Sequence, residues 1–168
     1  MAKEKKKNGA RKTTLRNVFQ DGPYLVTAII CEKVLQEQDG VKSAIRIVDR
    51  ITHSVAGPDV PEKMPTVGIN FQLLIKMKSG KSPGKHHIKV TLVDPRKKEL
   101  GSVTQTINME QGESRGMDIL LPINMKIEQE GVFWFEIWCD DFLMTKTPLE
   151  IRYVISKQTG PQPPDLIQ

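Results

Sequence analysis

Histidine, cysteine and aspartate are where this chain would keep a reactive centre, and it has only three histidines and two cysteines. His86 and His87 are adjacent, and His53 would be the third ligand of a metal site. Neighbouring residues on a strand point to opposite faces, so such a pair does not chelate one ion. The cysteine and carboxylate spacing of a zinc site is also missing, so surface histidines and no metal are expected. Asp140-Asp141 resembles half of a calcium site, which Asp94 and Asp118 would have to complete. Those carboxylates are too few, and the pair fits a hairpin turn better. Cys31 and Cys139 sit inside apolar strand patterns, where thiols are buried and inert. A pairing between them would need an oxidising compartment. No nucleophile elbow or Cys/His signature accompanies them, so a non-enzymatic protein without cofactor is expected. Gly80-Lys81-Ser82 has the ending of a phosphate-binding loop, but the glycine required five residues earlier is Ile75.

Recognition is a better prospect than reaction. Trp134 and Trp138 flank Glu136 on one parity of an aromatic segment, with Phe133, Phe135, Ile137 and Cys139 on the other. Left open to water, those two indoles form a platform for a protein, peptide or sugar. The competing reading covers them with a loop, the N-terminal leader or a second copy of the chain. A second candidate is basic. Lys76, Lys78, Lys81, Lys85 and Lys89 surround His86 and His87 in what the pattern predicts to be one hairpin. Such a hairpin can contact phosphates. It can equally be a solvated edge that lysines protect from edge-to-edge pairing.

These residues need elements to hold them, and the periodicity supplies strands. From Val67 to Lys78, Val67, Ile69, Phe71, Leu73, Ile75 and Met77 share one parity, and Leu74 alone breaks the polar alternate set. That period of two predicts a strand with one dry face. Tyr24–Leu35 reads as a central strand and Ala44–Ile51 as a second. Residues 56–65 form a loop with three prolines. Strands follow at 86–93 and 102–109, then at 117–123, where Pro122 predicts an edge or strand end. Asn124–Glu130 suits a single helical turn. Gly131–Asp140, Phe142–Thr147 and Leu149–Ile155 complete eight or nine strands, the pattern of an antiparallel, immunoglobulin-like β-sandwich.

Charge is unevenly spread. Lys3, Lys5, Lys6, Lys7, Arg11, Lys12 and Arg16 against Glu4 give residues 1–16 a net of +6, leaving −1 for the rest of a chain of net charge +5. Residues 1–20 therefore read as a basic flexible tail, 21–155 as the sandwich domain and 156–168 as a Pro-rich tail. Lys5, Lys6, Lys7, Arg11 and Lys12, with Lys81 and Lys85, are the phosphate-binding candidates of a nucleic-acid-associated alternative. No apolar run approaches the ~20 residues of a membrane span, and the leader lacks the apolar core of a secretory signal. A cytoplasmic location is expected, without membrane contact.

Three features resemble a family. Ile29-Ile30-Cys31-Glu32 ends an opening strand and is followed by a Gly turn and Ser43-Ala-Ile-Arg-Ile. A central strand precedes His87-Ile-Lys-Val-Thr-Leu-Val-Asp-Pro. Gly131-Val-Phe-Trp-Phe-Glu-Ile-Trp-Cys-Asp-Asp precedes Thr147-Pro-Leu-Glu-Ile. Over about residues 24–155 the chain resembles small cytoplasmic β-sandwich proteins of bacteria known only as a domain of unknown function. The resemblance implies the sandwich and transfers no catalytic or binding residue. The expected function is a protein-binding or accessory module that uses a sheet face or an edge strand. Trp134, Glu136 and Trp138 are the first contact, and a homo-oligomer is an open alternative.

Overall fold

The computed structural model describes residues 21–112 and 114–156, and the nine elements within them are all strands. They are β1 (Tyr24–Gln36), β2 (Lys42–Ile47), β3 (Arg50–Ala56), β4 (Val67–Lys78), β5 (Gly84–Val93), β6 (Glu99–Met109), β7 (Gly116–Ile127), β8 (Gly131–Cys139) and β9 (Phe142–Ser156). One sheet has the order β2-β1-β4-β7 and the other β3-β9-β8-β5-β6. The neighbours are antiparallel except for β3 and β9, which run parallel from Arg50↔Glu150 to Ala56↔Ser156.

Alternating side chains from both sheets fill one core. Phe71, Leu73, Ile75 and Met77 of β4 are buried as their parity requires. They meet Phe133, Phe135 and Ile137 of β8, and Phe71 sets its ring edge-on to Phe135 at 5.8 Å. That geometry suits the aromatic quadrupoles. Leu74, the exception in the pattern, points away from this core yet is buried, as is Cys31. Val34 N–H donates to Gln72 Oε1 at 2.6 Å, and Lys42 Nζ donates to Asp118 at 2.7 Å. They tie the β1–β2 hairpin to outward side chains of β4 and β7, on the same face as Leu74 and Cys31.

Several expectations need correction. The strand expected over 44–51 is two strands in different sheets. Arg46 adopts a left-handed backbone (φ 50°), β2 ends at Ile47, and the chain crosses to β3. Val48 N–H bonds Ile30 in the first sheet, and Glu150 N–H bonds Asp49 from the second, so the crossing is held at both ends. Residues 124–127 continue β7 rather than forming a helical turn, because Asn124, Met125, Lys126 and Ile127 pair in register with β4. β9 is one strand through Pro148. Its other neighbour, β3, starts pairing only at Glu150, so the missing proline N–H falls beside an open stretch. Strand β9 also takes in Ser156, one residue beyond the expected boundary. The edge expected at Pro122 is found: β7 ends its sheet.

Candidate functional site

The outward face of the five-stranded sheet carries the two tryptophans. Register places Trp138 beside Lys89, Glu136 beside Thr91 and Trp134 beside Val93 of β5. On the other side they meet Leu143, Lys146 and Pro148 of β9. Trp134 is 38% exposed, Trp138 is half-buried, and Leu143 and Val132 are exposed nearby. The Glu136 carboxylate accepts a short hydrogen bond from Lys146 Nζ, so this acid is held between the rings. Thr91, at the centre of the face, is buried, and its hydroxyl has no hydrogen-bond partner among the described residues. The structure thus brings Trp134, Glu136 and Trp138 together on one face, with Trp134 partly exposed.

The lysines do not form one patch. β4 belongs to the four-stranded sheet and β5 to the five-stranded one, so residues 79–83 cross between layers and no β4–β5 hairpin exists. Lys76 pairs with Asp118 on the outward side of the first sheet, whereas Lys85 and Lys89 face outward from the second. Lys81 is exposed on the crossing. Lys5, Lys6, Lys7, Arg11 and Lys12 lie outside the described residues.

The histidines also separate. His53 stacks on Tyr153 at the β3 edge, and His87 is exposed. His86 is buried, contrary to the surface position expected, because it shares the inward parity of Ile88 and Val90. Its Nε2 lies 2.9 Å from the Ser82 carbonyl and its Nδ1 lies 3.0 Å from Asp140 Oδ2. Asp140 Oδ1 accepts from His87 N–H at 2.9 Å, and Asp140 N–H donates to the His87 carbonyl at 2.7 Å. The result is a polar lock between the layer crossing and the two-residue β8–β9 turn. Burial works to raise the Asp140 carboxyl, but the His87 N–H and the His86 ring hold it below the ordinary aspartate range.

Cys139 completes a group of three donors lying within 4.8 Å of one another, with His86 and Asp140. These are zinc-ligand types. The His86 ring, however, is already engaged at both nitrogens, and burial, with the Asp140 charge, pushes the Cys139 thiol up to about 12. Parity could have found this cluster, since Cys139 shares the inward face of Ile137 and Asp140 follows it. Asp94 stands at the opposite end of β5, held by Lys98 N–H and Gln129, and Asp118 is in the other sheet, so no calcium cage forms from these residues. Cys31 and Cys139 are both free and buried, as the pattern implied.

One feature has no signal in the periodicity. β1 lies against β9 across the core, so β7 and β6 run along the same side of the two layers. Between them is an open apolar cleft of about 620 Å³. Leu121, Ile123 and Met125 of β7 look into it, with Val90, Leu92 and Phe135 at its base. Val103 of β6 is 45% exposed there despite its inward parity. Strand order decides which edges meet, and alternation within a strand does not encode it.

No helix among the described residues is long and apolar enough to cross a membrane. No curated protein matches the chain. The model of a family of unknown function, DUF6941, matches residues 26–152, almost the whole two-sheet body that holds the platform, the lock and the cleft. With most of its length matched, this chain belongs to the DUF6941 family.

Proposed function

We propose that the protein is a non-enzymatic binding module whose partner is another protein, engaged on the outward face of the five-stranded sheet. The observation that carries this reading is Trp134, held on the rigid strand β8 with more than a third of its surface in water. Tryptophan is enriched among the residues that dominate binding at the centres of interfaces. Its surroundings support the same conclusion. Glu136 and Lys146 supply fixed polar points between apolar anchors, and Trp138, Pro148 and Leu143 extend the contact. In this reading the domain is an immunoglobulin-like sandwich of the bacterial cytoplasm. The separation of the lysines onto two sides gives phosphate binding less support.

Affinity purification with the full chain tests it. The double variant Trp134→Gln, Trp138→Gln should lose a partner that the parent retains, with circular dichroism showing the variant folded. Both rings are partly buried, so some fall in melting temperature is expected as well. A folded double variant that keeps every partner overturns the proposal.

A further inference from the structure

We propose that the open side of the sandwich captures an extended segment of a partner protein as an added strand on β6, with alternate side chains inserted into the cleft. The site is distinct from the tryptophan face and is tested separately. β6 is eleven residues long and ends its sheet, so one side of its backbone has no strand neighbour among the described residues. Its sequence, Glu-Leu-Gly-Ser-Val-Thr-Gln-Thr-Ile-Asn-Met, holds no proline and a single charge, Glu99, and its one register shift against β5 lies at that same end, between Glu99 and Gly101. Natural edge strands are normally guarded by charge, proline or a bulge. Two of the other edges fit that rule, β7 with Pro122, Asp118 and Lys126 and β2 with Lys42 and Arg46, whereas the seven-residue β3 has Arg50 alone. From Gly101 to Met109, the part of β6 beside the cleft, the edge has no charge, proline or bulge.

A strand placed next to β6 would satisfy its backbone and sit opposite β7. Every second side chain would then rest on Leu121, Ile123 and Met125, which the sandwich leaves half-covered. This combination selects a peptide rather than an alkyl chain, which has no backbone to pair. Charge narrows the class further. Among the described residues Lys126 is the only charged one lining the cleft, and Lys98 stands close to that end. The captured segment is accordingly an alternating apolar strand with an acidic residue at the Lys126 end. A second copy's β6 fits poorly, because between Gly101 and Gln105 it offers Val103 as its only large apolar side chain.

The test is selection of a randomised heptapeptide display library on the full chain. Gly101 lines the cleft, and a Cβ added there meets nothing within 4 Å, so Gly101→Leu is the variant chosen to fill the cleft. Should that variant fail to fold, Val103→Glu serves instead, since Val103 is already nearly half exposed. Alternating apolar peptides with an acidic end should be enriched. Their affinity should fall at least tenfold with either cleft variant and be unchanged in the tryptophan double variant. Absence of enrichment, or peptides indifferent to the cleft variants, overturns the proposal. A concentration-dependent dimer in light scattering, abolished by Gly101→Leu, would assign the cleft to a second copy and overturn it too.

Discussion

Replacing His86 by alanine should loosen the joint between the layer crossing and the β8–β9 turn. Three losses add up. The hydrogen bond to Asp140 is charge-assisted and ordinarily contributes ~1.5–3 kcal/mol. The Asp140 side chain is 35% exposed, so water replaces part of it, and about 1 kcal/mol is the appropriate figure. The bond to the Ser82 carbonyl contributes roughly 1 kcal/mol. Removing the apolar part of a buried ring costs about 1 kcal/mol more. The expected destabilisation is therefore ~3 kcal/mol, read by urea unfolding followed through tryptophan fluorescence. At an m-value of ~2 kcal/mol/M, the midpoint should fall by roughly 1.5 M. Asp140→Asn should be far milder, because Oδ1 still accepts from His87 N–H and the new amide can donate to His86 Nδ1. The two variants also differ in pH behaviour. The Asp140 carboxyl is held below its ordinary value of 3.8, so its contribution is complete above that value and is lost as pH falls through the lower, folded one. The stability advantage of the parent over Asp140→Asn should thus hold above pH 3.8 and shrink as pH falls below it. A His86→Ala midpoint within about 0.3 M of the parent, on the same m-value scale, would refute the lock.

Gly116→Ala should destabilise by more than ~2 kcal/mol or prevent folding, since the added Cβ would lie 2.0 Å from the Met77 carbonyl oxygen, a backbone atom that cannot step aside. Thermal melting checks it, and an unchanged midpoint would contradict the close β4–β7 approach. Cys139, buried and with its thiol pushed up to about 12, should resist dithionitrobenzoate at pH 8 until the chain is unfolded. Rapid labelling of native protein at that residue, located by mass spectrometry, would count against the burial described. Asp118→Asn should weaken the tether to Lys42 and let the β1–β2 hairpin lift, so Cys31 labelling in the native state should accelerate by tenfold or more.

Some of this architecture is visible before any coordinates. The Val67–Lys78 alternation names its buried residues almost without error, because a strand's period is set by the backbone alone. The same rule, applied to His86, would have placed it beside Ile88 inside the core; adjacency to His87 distracts from it. Other features depend on information that local patterns lack. Gly80, Pro83 and Gly84 announce a reversal but not the sheet into which the chain returns, so a layer crossing and a hairpin look alike. Arg46 breaks its strand with a left-handed backbone that no glycine or asparagine signals. The pairing of Lys42 with Asp118 joins residues 76 apart in the chain, beyond the reach of any local pattern. The cleft arises because β6 and β7 are both terminal in their sheets, a property of topology.

The parallel pairing of β3 with β9 has a consequence for synthesis. Residue 50 leaves the ribosome about a hundred residues before its mate at 150 exists, so β3 must wait, unzipped, while those residues are made. Closing a loop of that size is entropically slow. Nascent chains should thus pass through a long-lived stage with a bare strand, and stalled or truncated products ending before about residue 142 should be the ones that chaperones retain and proteases clear.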